Sequence, residues 1–437
     1  MKGENEKMKS DLEQTEIEAP YELPEGWKWC RLGDFINIFR GVSYKKNDAH
    51  NEKQENDCLI IRGGNIDEGC INLNSDNVFV NKSLVSENQI IKKNDVIIVT
   101  STGSIKVIGR AGVSASDYED VAFGAFLTLA RPNEKANKSF VNQYFQSSLY
   151  RERIRQLASG VNINNIRIEY ITESPFPLPP TLDEQQRIVN RIESMFAKLD
   201  EAKEKAQNVV DGFETRKAAI LHKAFTGELT AKWRKENGVS DDSWEEKTIG
   251  EAYFINPKVK ADDEILASFI PMEKIEPAGI NQFTFDIKSW GSIKKNHTQF
   301  QNGDVCFAKI SPCFENGKAF IARNLENGIG AGTTELIILR STEIDTHYTF
   351  YVVTDLSFVR KCCTTYSGTV GQQRINMDYV RNYKINLPTL PEQVEIVRIL
   401  DIIIEKENKA KQAAEAVLEQ IDLLKKSILA RAFRGEL

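Results

Sequence analysis

A long internal repeat is the feature of this sequence that most restricts its fold. Residues 180–185 read PTLDEQ, and residues 388–393 read PTLPEQ, 208 positions later. The same offset carries AILHKAFTGEL (219–229) onto SILARAFRGEL (427–437), where seven of eleven residues are identical. Because a chance match does not hold its register over about fifty residues, the sequence predicts two tandem units of related structure.

Each repeat carries an apolar stripe with the spacing of a coiled coil. Its apolar residues recur at alternating steps of four and three, and one polar residue interrupts each stripe, Arg216 in the first and Glu407 in the second. Each segment therefore predicts one helix of about 40 residues, roughly 60 Å long. The predicted seam positions are Ile188, Ile192, Met195, Leu199, Val209, Phe213, Ile220, Ile396, Leu400, Ile403, Val417, Ile421, Leu424 and Ile428.

These two helices are expected to pair with each other, because a single stripe would remain exposed to water. A pseudo-twofold relation between the repeats would make the helices antiparallel and would put the globular domains at opposite ends. The alternative is that each helix packs only on its own domain.

The segments before the two helices are more diverged, but they align at offsets near 209. The strings DVIIVT (95–100) and AFLTLAR (125–131) face DVCFAKI (304–310) and TELIILR (334–340), and all four read as short strands. Helical patterns follow them, so each globular domain is predicted to be α+β. The expected order is a disordered acidic tail (1–19), a first domain (20–180), a first helix (181–229), a linker (230–243), a second domain (244–388) and a second helix (389–437).

The composition restricts the function less than the repeat does. The net charge is -6, and the first 25 residues account for five of these six charges, with three lysines against eight acidic residues. This balance permits local basic surfaces but does not require them. The seven cysteines form no Cys-x-x-Cys pair and the four histidines lie far apart, so no metal site is expected. With neither an apolar leader nor a membrane span in the sequence, a cytoplasmic protein is expected.

Several longer strings resemble one known family. GDVCFAKISPCFENGKAFIA (303–322), IGAGTTELIIL (329–339) and YSGTVGQQRINMDYV (366–380) resemble the target-recognition domain of the specificity subunits of Type I restriction-modification enzymes. The first half resembles the same family through LPEGWKWCRLGDF (23–35), PLPPTLDEQQRIV (177–189) and KAFTGEL (223–229). The resemblance covers the chain except for its acidic tail.

The resemblance implies a non-catalytic DNA-binding subunit. Each recognition domain would read one half of a bipartite, asymmetric site in double-stranded DNA, and the helix pair would set the spacer and dock the partners. These would be two modification subunits and two restriction subunits, forming a site-specific endonuclease and adenine-N6 DNA methyltransferase. S-adenosylmethionine, ATP and Mg would be used by the partners, and this chain would bind no cofactor or metal.

Three other interpretations fit parts of the sequence. The chain could serve a fused restriction-methylation polypeptide, it could be a stand-alone DNA methyltransferase, or it could be a structural coiled-coil scaffold. A methyltransferase of this kind is expected to carry an Asn/Asp-Pro-Pro-aromatic loop, and the nearest string, NPKV (256–259), lacks the second proline and the aromatic residue. A Walker loop, which ATP-driven translocation would need, is missing as well.

The candidate DNA-binding residues are loop residues that offer hydrogen-bond donors, acceptors or cations to bases and phosphates. Phe225 and Phe433, at the two helix ends, fit either a closed core or a surface for docking partners. In the first domain the candidates are Arg62, Asn65, Ser101, Thr102, Ser104, Lys106, Ser159, Gly160, Asn162, Asn164, Asn165 and Arg167. In the second they are Lys309, Ser311, Asn316, Lys318, Thr333, Thr334, Gly368, Thr369, Gln372, Gln373 and Arg374.

Overall fold

The structure, a computed structural model, describes residues 19–74, 77–159, 165–277, 279–369 and 372–437. These residues form two compact units. Unit 1 contains the chain through Ala206 together with Ala416–Leu437, and unit 2 contains Gln207–Glu415. The compact units therefore differ from the tandem repeats of the sequence, because each unit combines one globular domain with parts of both long helices.

In unit 1, strands with buried apolar residues form a five-stranded, a three-stranded and a two-stranded sheet. The strands are β1 (Lys28–Arg31), β2 (Ile36–Arg40), β3 (Asp57–Ile61), β4 (Gly69–Cys70), β5 (Val78–Asn81), β6 (Val96–Val99), β7 (Ala111–Val113), β8 (Val121–Phe123), β9 (Leu127–Pro132) and β10 (Pro175–Leu178). The sheet orders are β2-β9-β6-β7-β4, β5-β3-β8 and β1-β10. The helices are α1 (Lys138–Gln146), α2 (Ser148–Ser159), α3 (Ile168–Thr172) and α4 (Leu182–Asp211).

Unit 2 has two four-stranded sheets and a two-stranded sheet. Its helices, in continued numbering, are α5 (Phe213–Phe225), α6 (Ala231–Asn237), α7 (Ile249–Ala252), α8 (Trp290–Ile293), α9 (Thr346–Thr354), α10 (Leu356–Cys363), α11 (Met377–Arg381) and α12 (Leu390–Phe433). Its strands are β11 (Glu245–Thr248), β12 (Phe254–Ile255), β13 (Leu266–Ile270), β14 (Asp286–Ser289), β15 (Thr298–Gln301), β16 (Val305–Ala308), β17 (Ala319–Ile321), β18 (Ile329–Gly332), β19 (Leu336–Arg340) and β20 (Lys384–Leu387). The sheet orders are β12-β19-β16-β17, β14-β13-β18-β15 and β11-β20.

The two units repeat one α+β arrangement, which confirms the predicted fold class. The β2-β9-β6-β7 part of one sheet has the order of β12-β19-β16-β17, and the differences lie at sheet edges, in β4 and β15. A buried ion pair recurs at an offset of 209 residues. Arg131 binds Asp95 through two nitrogens at 2.8 and 2.7 Å, and Arg340 binds Asp304 in the same way at 2.7 Å.

The long helices pair in antiparallel orientation within each unit, as predicted. In unit 1, Asp200 of α4 binds Lys425 of α12 at 2.5 Å, and Lys203 lies 3.8 Å from Asp422. In unit 2, Lys411 of α12 lies 4.8 Å from the ring centre of Phe213 in α5, and Arg216 binds Glu407. In both units the residue number rises along one helix as it falls along the other.

The prediction of one continuous helix is correct for α12 and wrong for the first long helix. That helix divides into α4 and α5 at Gly212. Glycine is a poor helix former, and the Nη2 of Arg216 donates to the carbonyl oxygen of Val209, a group that an unbroken helix would use in its own ladder. The chain keeps helical dihedral angles at Gly212, with φ -78° and ψ -8°, so the interruption is local.

The predicted seam is buried to different degrees along the helices. Val417 and Leu424 are 39% and 49% exposed, which corrects the expectation that they are covered. Two paired helices cover only the sides that face each other, and a seven-residue repeat drifts around a helix of 3.6 residues per turn. The buried seam residues are Ile188, Ile192, Phe213, Ile396, Leu400 and Ile421, and the half-buried ones are Met195, Leu199, Val209, Ile220, Ile403 and Ile428.

The two helix-end phenylalanines occupy equivalent places in the cores. In unit 1 the ring of Phe433 is buried, 5.0 Å from that of Phe140. In unit 2 the half-buried ring of Phe225 lies 5.6 Å from that of Tyr348, and both residues are 208 positions from their counterparts. Because Phe433 is enclosed, its side chain offers no surface to a partner, which corrects the docking alternative for this residue.

Candidate nucleic-acid interface

Three loops of unit 2 are brought together by backbone hydrogen bonds at one end of β16 and β19. The Lys309 N–H donates to the Glu335 carbonyl at 2.8 Å, and the Ile375 N–H donates to the Lys309 carbonyl at 3.0 Å. Ile310 and Arg374 form an isolated antiparallel bridge. The predicted cluster 309–318 therefore meets the clusters around Thr334 and Arg374, although the sequence separates them by up to 65 residues.

Unit 1 has the same arrangement 209 residues earlier. The Thr100 N–H donates to the Phe126 carbonyl at 3.1 Å, and the Ile166 N–H donates to the Thr100 carbonyl at 2.8 Å. Ser101 and Asn165 form the corresponding bridge. We call this shared set of backbone contacts the loop frame. It consists of residues 100–101, 126 and 165–166 in unit 1 and residues 309–310, 335 and 374–375 in unit 2.

In unit 2 the side chains of two loop-frame residues, Glu335 and Arg374, form an ion pair. The guanidinium of Arg374 donates from Nε and Nη2 to the two carboxylate oxygens of Glu335, at 2.9 and 2.7 Å. These hydrogen bonds hold the pKa of Glu335 below its usual value, and they raise the pKa of Arg374. Arg374 is one of the candidates predicted from the sequence, and Glu335 is not among them.

The remaining candidates of unit 2 differ in exposure. Lys318 is a correction, since its half-buried ammonium group donates to the Met272 carbonyl at 2.7 Å and so supports the fold from within. The hydroxyl of Ser311 donates to Glu315 at 2.8 Å. The exposed candidates are Asn316, Thr334, Gly368, Thr369 and Gln372, and the half-buried ones are Lys309, Ser311, Thr333, Gln373 and Arg374.

Gly368 is required by the backbone of its loop. Its φ of +116° lies in a region that side chains with a Cβ rarely adopt, and an added Cβ would lie 3.2 Å from the Gln372 carbonyl oxygen. The glycine therefore shapes the exposed turn that leads to Arg374.

In unit 1 the structure corrects one candidate outright. Asn65 is fully buried: its side-chain oxygen accepts from the Arg62 N–H at 2.8 Å, and its amide donates to the Asn72 carbonyl at 2.9 Å. It shapes a turn and cannot reach DNA. Arg62, Ser101 and Thr102 are half-buried, and Ser104, Lys106, Asn165 and Arg167 are exposed. Gly160, Asn162 and Asn164 lie outside the described residues, and only the backbone of Ser159, at the end of α2, is described.

Phe126 belongs to the loop frame and was missed. It takes the position of Glu335, and it is 69% exposed. The alignment of AFLTLAR with TELIILR already pairs the two residues, so the signal was present in the sequence. It was passed over because the candidates were chosen for donors, acceptors and cations.

The described ranges bear on the expected absence of a metal site and of a membrane span. No group of three or more His, Cys, Asp or Glu residues there is arranged to hold a metal ion. None of the helices of those ranges is long and apolar enough to cross a membrane.

A protein-family model, individual relatives and solved structures all point to the same family. The family described as "Type I restriction modification DNA specificity domain" matches residues 24–210 and 241–420. The chain is 29% identical over 427 residues to the Type I restriction enzyme StySPI specificity subunit of Salmonella potsdam, covering 95% of this chain and 90% of the relative. It is 28% identical over 420 residues to the EcoKI specificity subunit of Escherichia coli (strain K12), with the same coverage of both.

Solved structures show the same fold. A structure described as "Structural basis underlying complex assembly and conformational transition of the type I R-M system" matches with a TM-score of 0.69 and 20% identity, over 96% of this chain and 100% of that one. The HsdS subunit from Thermoanaerobacter tengcongensis matches with a TM-score of 0.59 and 20% identity, over 97% of this chain and 100% of that one. Since the family matches two stretches that together span most of the sequence, this chain belongs to the Type I restriction-modification specificity subunits.

Proposed function

We propose that this protein is the sequence-specific DNA-binding subunit of a Type I restriction-modification enzyme, in which each globular domain reads one half of a bipartite, asymmetric site. The loop frame is the observation that carries the proposal. Both units hold it with equivalent backbone contacts, but they carry Phe126 and Asn165 in one and Glu335 and Arg374 in the other. One scaffold with two different sets of side chains suits two different half-sites, because base edges are distinguished by the groups that contact them.

The chain acts without catalytic groups of its own, and its partners supply the chemistry. We assign methylation of adenine N6 to two modification subunits with S-adenosylmethionine, and ATP- and Mg-dependent translocation and cleavage to two restriction subunits, all in the cytosol. The antiparallel helix pair supports this assignment, since the apolar stripes of its two helices repeat at an offset of 208 residues and so give two related faces for two copies of one partner. The same pair would set the spacer between the half-sites.

Methylome sequencing tests the proposal most directly. Cells that carry the complete system should show a bipartite adenine-methylation motif, and deletion of the gene for this chain should remove it. An unchanged methylome in an active system would contradict the proposal. Purified chain that methylates DNA without partners would instead establish a stand-alone methyltransferase.

Binding by the purified complex gives a second, independent measurement. The chain assembled with its modification subunits should bind a duplex with the motif more tightly than duplexes with either half-site scrambled. Because specific DNA binding usually exceeds non-specific binding by about a thousandfold or more, the difference should be large at physiological salt.

A further inference from the structure

We propose that Phe126 reads its half-site through an apolar contact between its ring and a base. The inference rests on the proposed function and goes beyond it by assigning base discrimination in the first domain to a residue that can donate and accept no side-chain hydrogen bonds. The corresponding position in unit 2 carries the charged Glu335.

The backbone of Phe126 is held in place from one side. Its carbonyl oxygen accepts from the N–H groups of Thr100 and Ser101, both at 3.1 Å, and from the Thr100 hydroxyl at 3.2 Å. The next residue, Leu127, begins β9 and is buried in the core. The main chain is therefore fixed before any ligand binds, and the ring points away from it with 69% of its surface exposed.

The two segments that adjoin Phe126 in the loop frame lead into exposed polar, apolar and cationic residues. The loop that follows Thr100 exposes Ser104, Ile105 and Lys106, and Ile105 is itself 58% exposed. Arg167, two residues after the frame residue Asn165, is also exposed. Hydroxyl groups and cations contact the phosphate backbone, and an aromatic ring contacts bases by stacking or through the thymine methyl group.

A single exposed phenylalanine is common on protein surfaces and has no meaning by itself. What singles out Phe126 is its place on the loop frame. In unit 2 the same place carries the Glu335–Arg374 pair, whose donors and acceptors suit hydrogen bonds to base edges. In unit 1, Phe126 and Asn165 replace this pair with an apolar ring and a neutral amide, so the two domains should differ in the chemistry by which they select bases.

The chain offers a matched control. Phe254 is also 69% exposed, but it lies in β12 opposite Arg340, at the end of β19 away from Glu335. Phe126→Ala and Phe254→Ala therefore remove rings of equal exposure, one on the loop frame and one outside it. Both variants should keep the thermal stability of the wild-type protein, because neither ring is part of a core.

The experiment measures equilibrium binding by the full chain assembled with its modification subunits. The probes are a duplex with the motif determined by methylome sequencing and a set of duplexes with every single base-pair change in it. Phe126→Ala should weaken binding of the motif duplex about tenfold, within the range that one base contact supplies. It should also reduce discrimination between base pairs at one or two adjacent positions of a single half-site. The affinity of Phe126→Ala for a scrambled duplex should equal that of the wild type. Phe254→Ala should bind the motif duplex with wild-type affinity and discrimination.

Deoxyuridine in place of thymine separates the two forms of contact. If the ring contacts a thymine methyl group, the substitution should weaken binding by the wild type and leave Phe126→Ala unaffected. If the ring stacks, deoxyuridine is tolerated, and 2-aminopurine at the same base step should change its fluorescence with the wild type only. Either result supports the inference.

Phe126→Ala with wild-type affinity and discrimination at every position would overturn the inference and leave the proposed function intact. A wild-type complex that does not distinguish the motif from scrambled DNA would overturn the proposed function and the inference with it. The wild-type measurement thus tells the two failures apart.

Discussion

Arg216 of α5 and Glu407 of α12 form an ion pair within unit 2, with Nε of the arginine 2.7 Å from Oε2 of the glutamate. These are the two polar residues that interrupt the apolar stripes of the repeats. In unit 1 the same offset places Leu424 and Leu199 at the corresponding positions. The two polar residues are thus of opposite charge and face each other. If either helix shifted along the other, each charge would face an apolar side chain. The ion pair therefore favours one register of the two helices.

Breaking this pair should cost a modest amount of stability. Arg216→Ala should lower the free energy of unfolding by about 1 kcal/mol, because the pair is partly open to water and the Val209 carbonyl also loses a donor. The double variant Arg216→Leu/Glu407→Leu should recover the loss, as apolar residues can replace such a pair. Urea unfolding of the full chain measures both.

The control for this prediction is Arg398→Ala. It breaks an exposed ion pair with Glu395, three residues away on the same helix, and should lower the free energy of unfolding less than Arg216→Ala does. A double leucine variant less stable than Arg216→Ala would contradict the role of the pair in the seam.

The buried pair of Arg340 and Asp304 should matter far more. The Asp304 side chain is 1% exposed, so Arg340→Met would leave a carboxylate buried without its cation. The expected loss is about 3 kcal/mol in the free energy of unfolding. Lys384→Met, which breaks an exposed pair with Glu246, should leave the free energy of unfolding close to the wild-type value, because water screens that pair. Equal effects of the two variants would contradict this account.

The helix-end phenylalanines should behave as core residues of unequal weight. Phe433→Ala removes a buried ring that also lies 5.6 Å from Tyr144, and it should destabilise the protein by about 3 kcal/mol or more. Phe225→Ala should cost less, because that ring is half-buried. Thermal unfolding measures both, and a Phe433→Ala variant as stable as wild type that no longer binds modification subunits would favour the docking interpretation instead.

The sequence predicted the repeat, the strands and the helix pairing because each depends on a pattern that many residues share. It could not predict which polar loop residues face outward. Asn65 was chosen for its amide, yet that amide forms hydrogen bonds inside its own turn, and nothing in the string RGGNID separates the two uses. Lys318 fails as a candidate for the same reason, since its partner Met272 is 46 residues away.

Other differences between prediction and structure arise because a sequence pattern describes one segment, whereas these features depend on contacts with residues outside that segment. The break at Gly212 involves the side chain of Arg216, which donates to a helix carbonyl, and the exposure of Leu424 depends on which side of α12 faces the opposite helix. The loop frame joins residues 66 positions apart, such as Lys309 and Ile375, through backbone groups, which every residue type carries. The side-chain pattern of the sequence therefore does not mark these contacts, although the alignment of the two halves places Phe126 opposite Glu335.

The Glu335–Arg374 pair supports the last prediction. Arginine that meets guanine through two hydrogen bonds is the commonest specific contact in the major groove. In unit 2 the two hydrogen bonds to Glu335 hold the guanidinium of Arg374 in one orientation. The same hydrogen bonds lower the pKa of Glu335, so its carboxylate remains ionised near neutral pH. The guanidinium is thus oriented, and it keeps 43% of its side-chain surface open.

Arg374→Gln should therefore relax selection at one position of one half-site, by a factor of roughly 5 to 150 in affinity, while the other half-site is read as before. Glu335→Gln should have a smaller effect at the same position, because it releases the guanidinium without removing it. The matched control is Arg398→Gln, which breaks a similar two-nitrogen contact with Glu395 in α12, outside the loop frame. The methylome of cells that carry each variant gives the motif directly. If Arg374 instead contacts a phosphate, Arg374→Gln should weaken binding equally on all sequences and reduce its salt dependence, so an unchanged motif with uniformly lower methylation would contradict base reading by this residue.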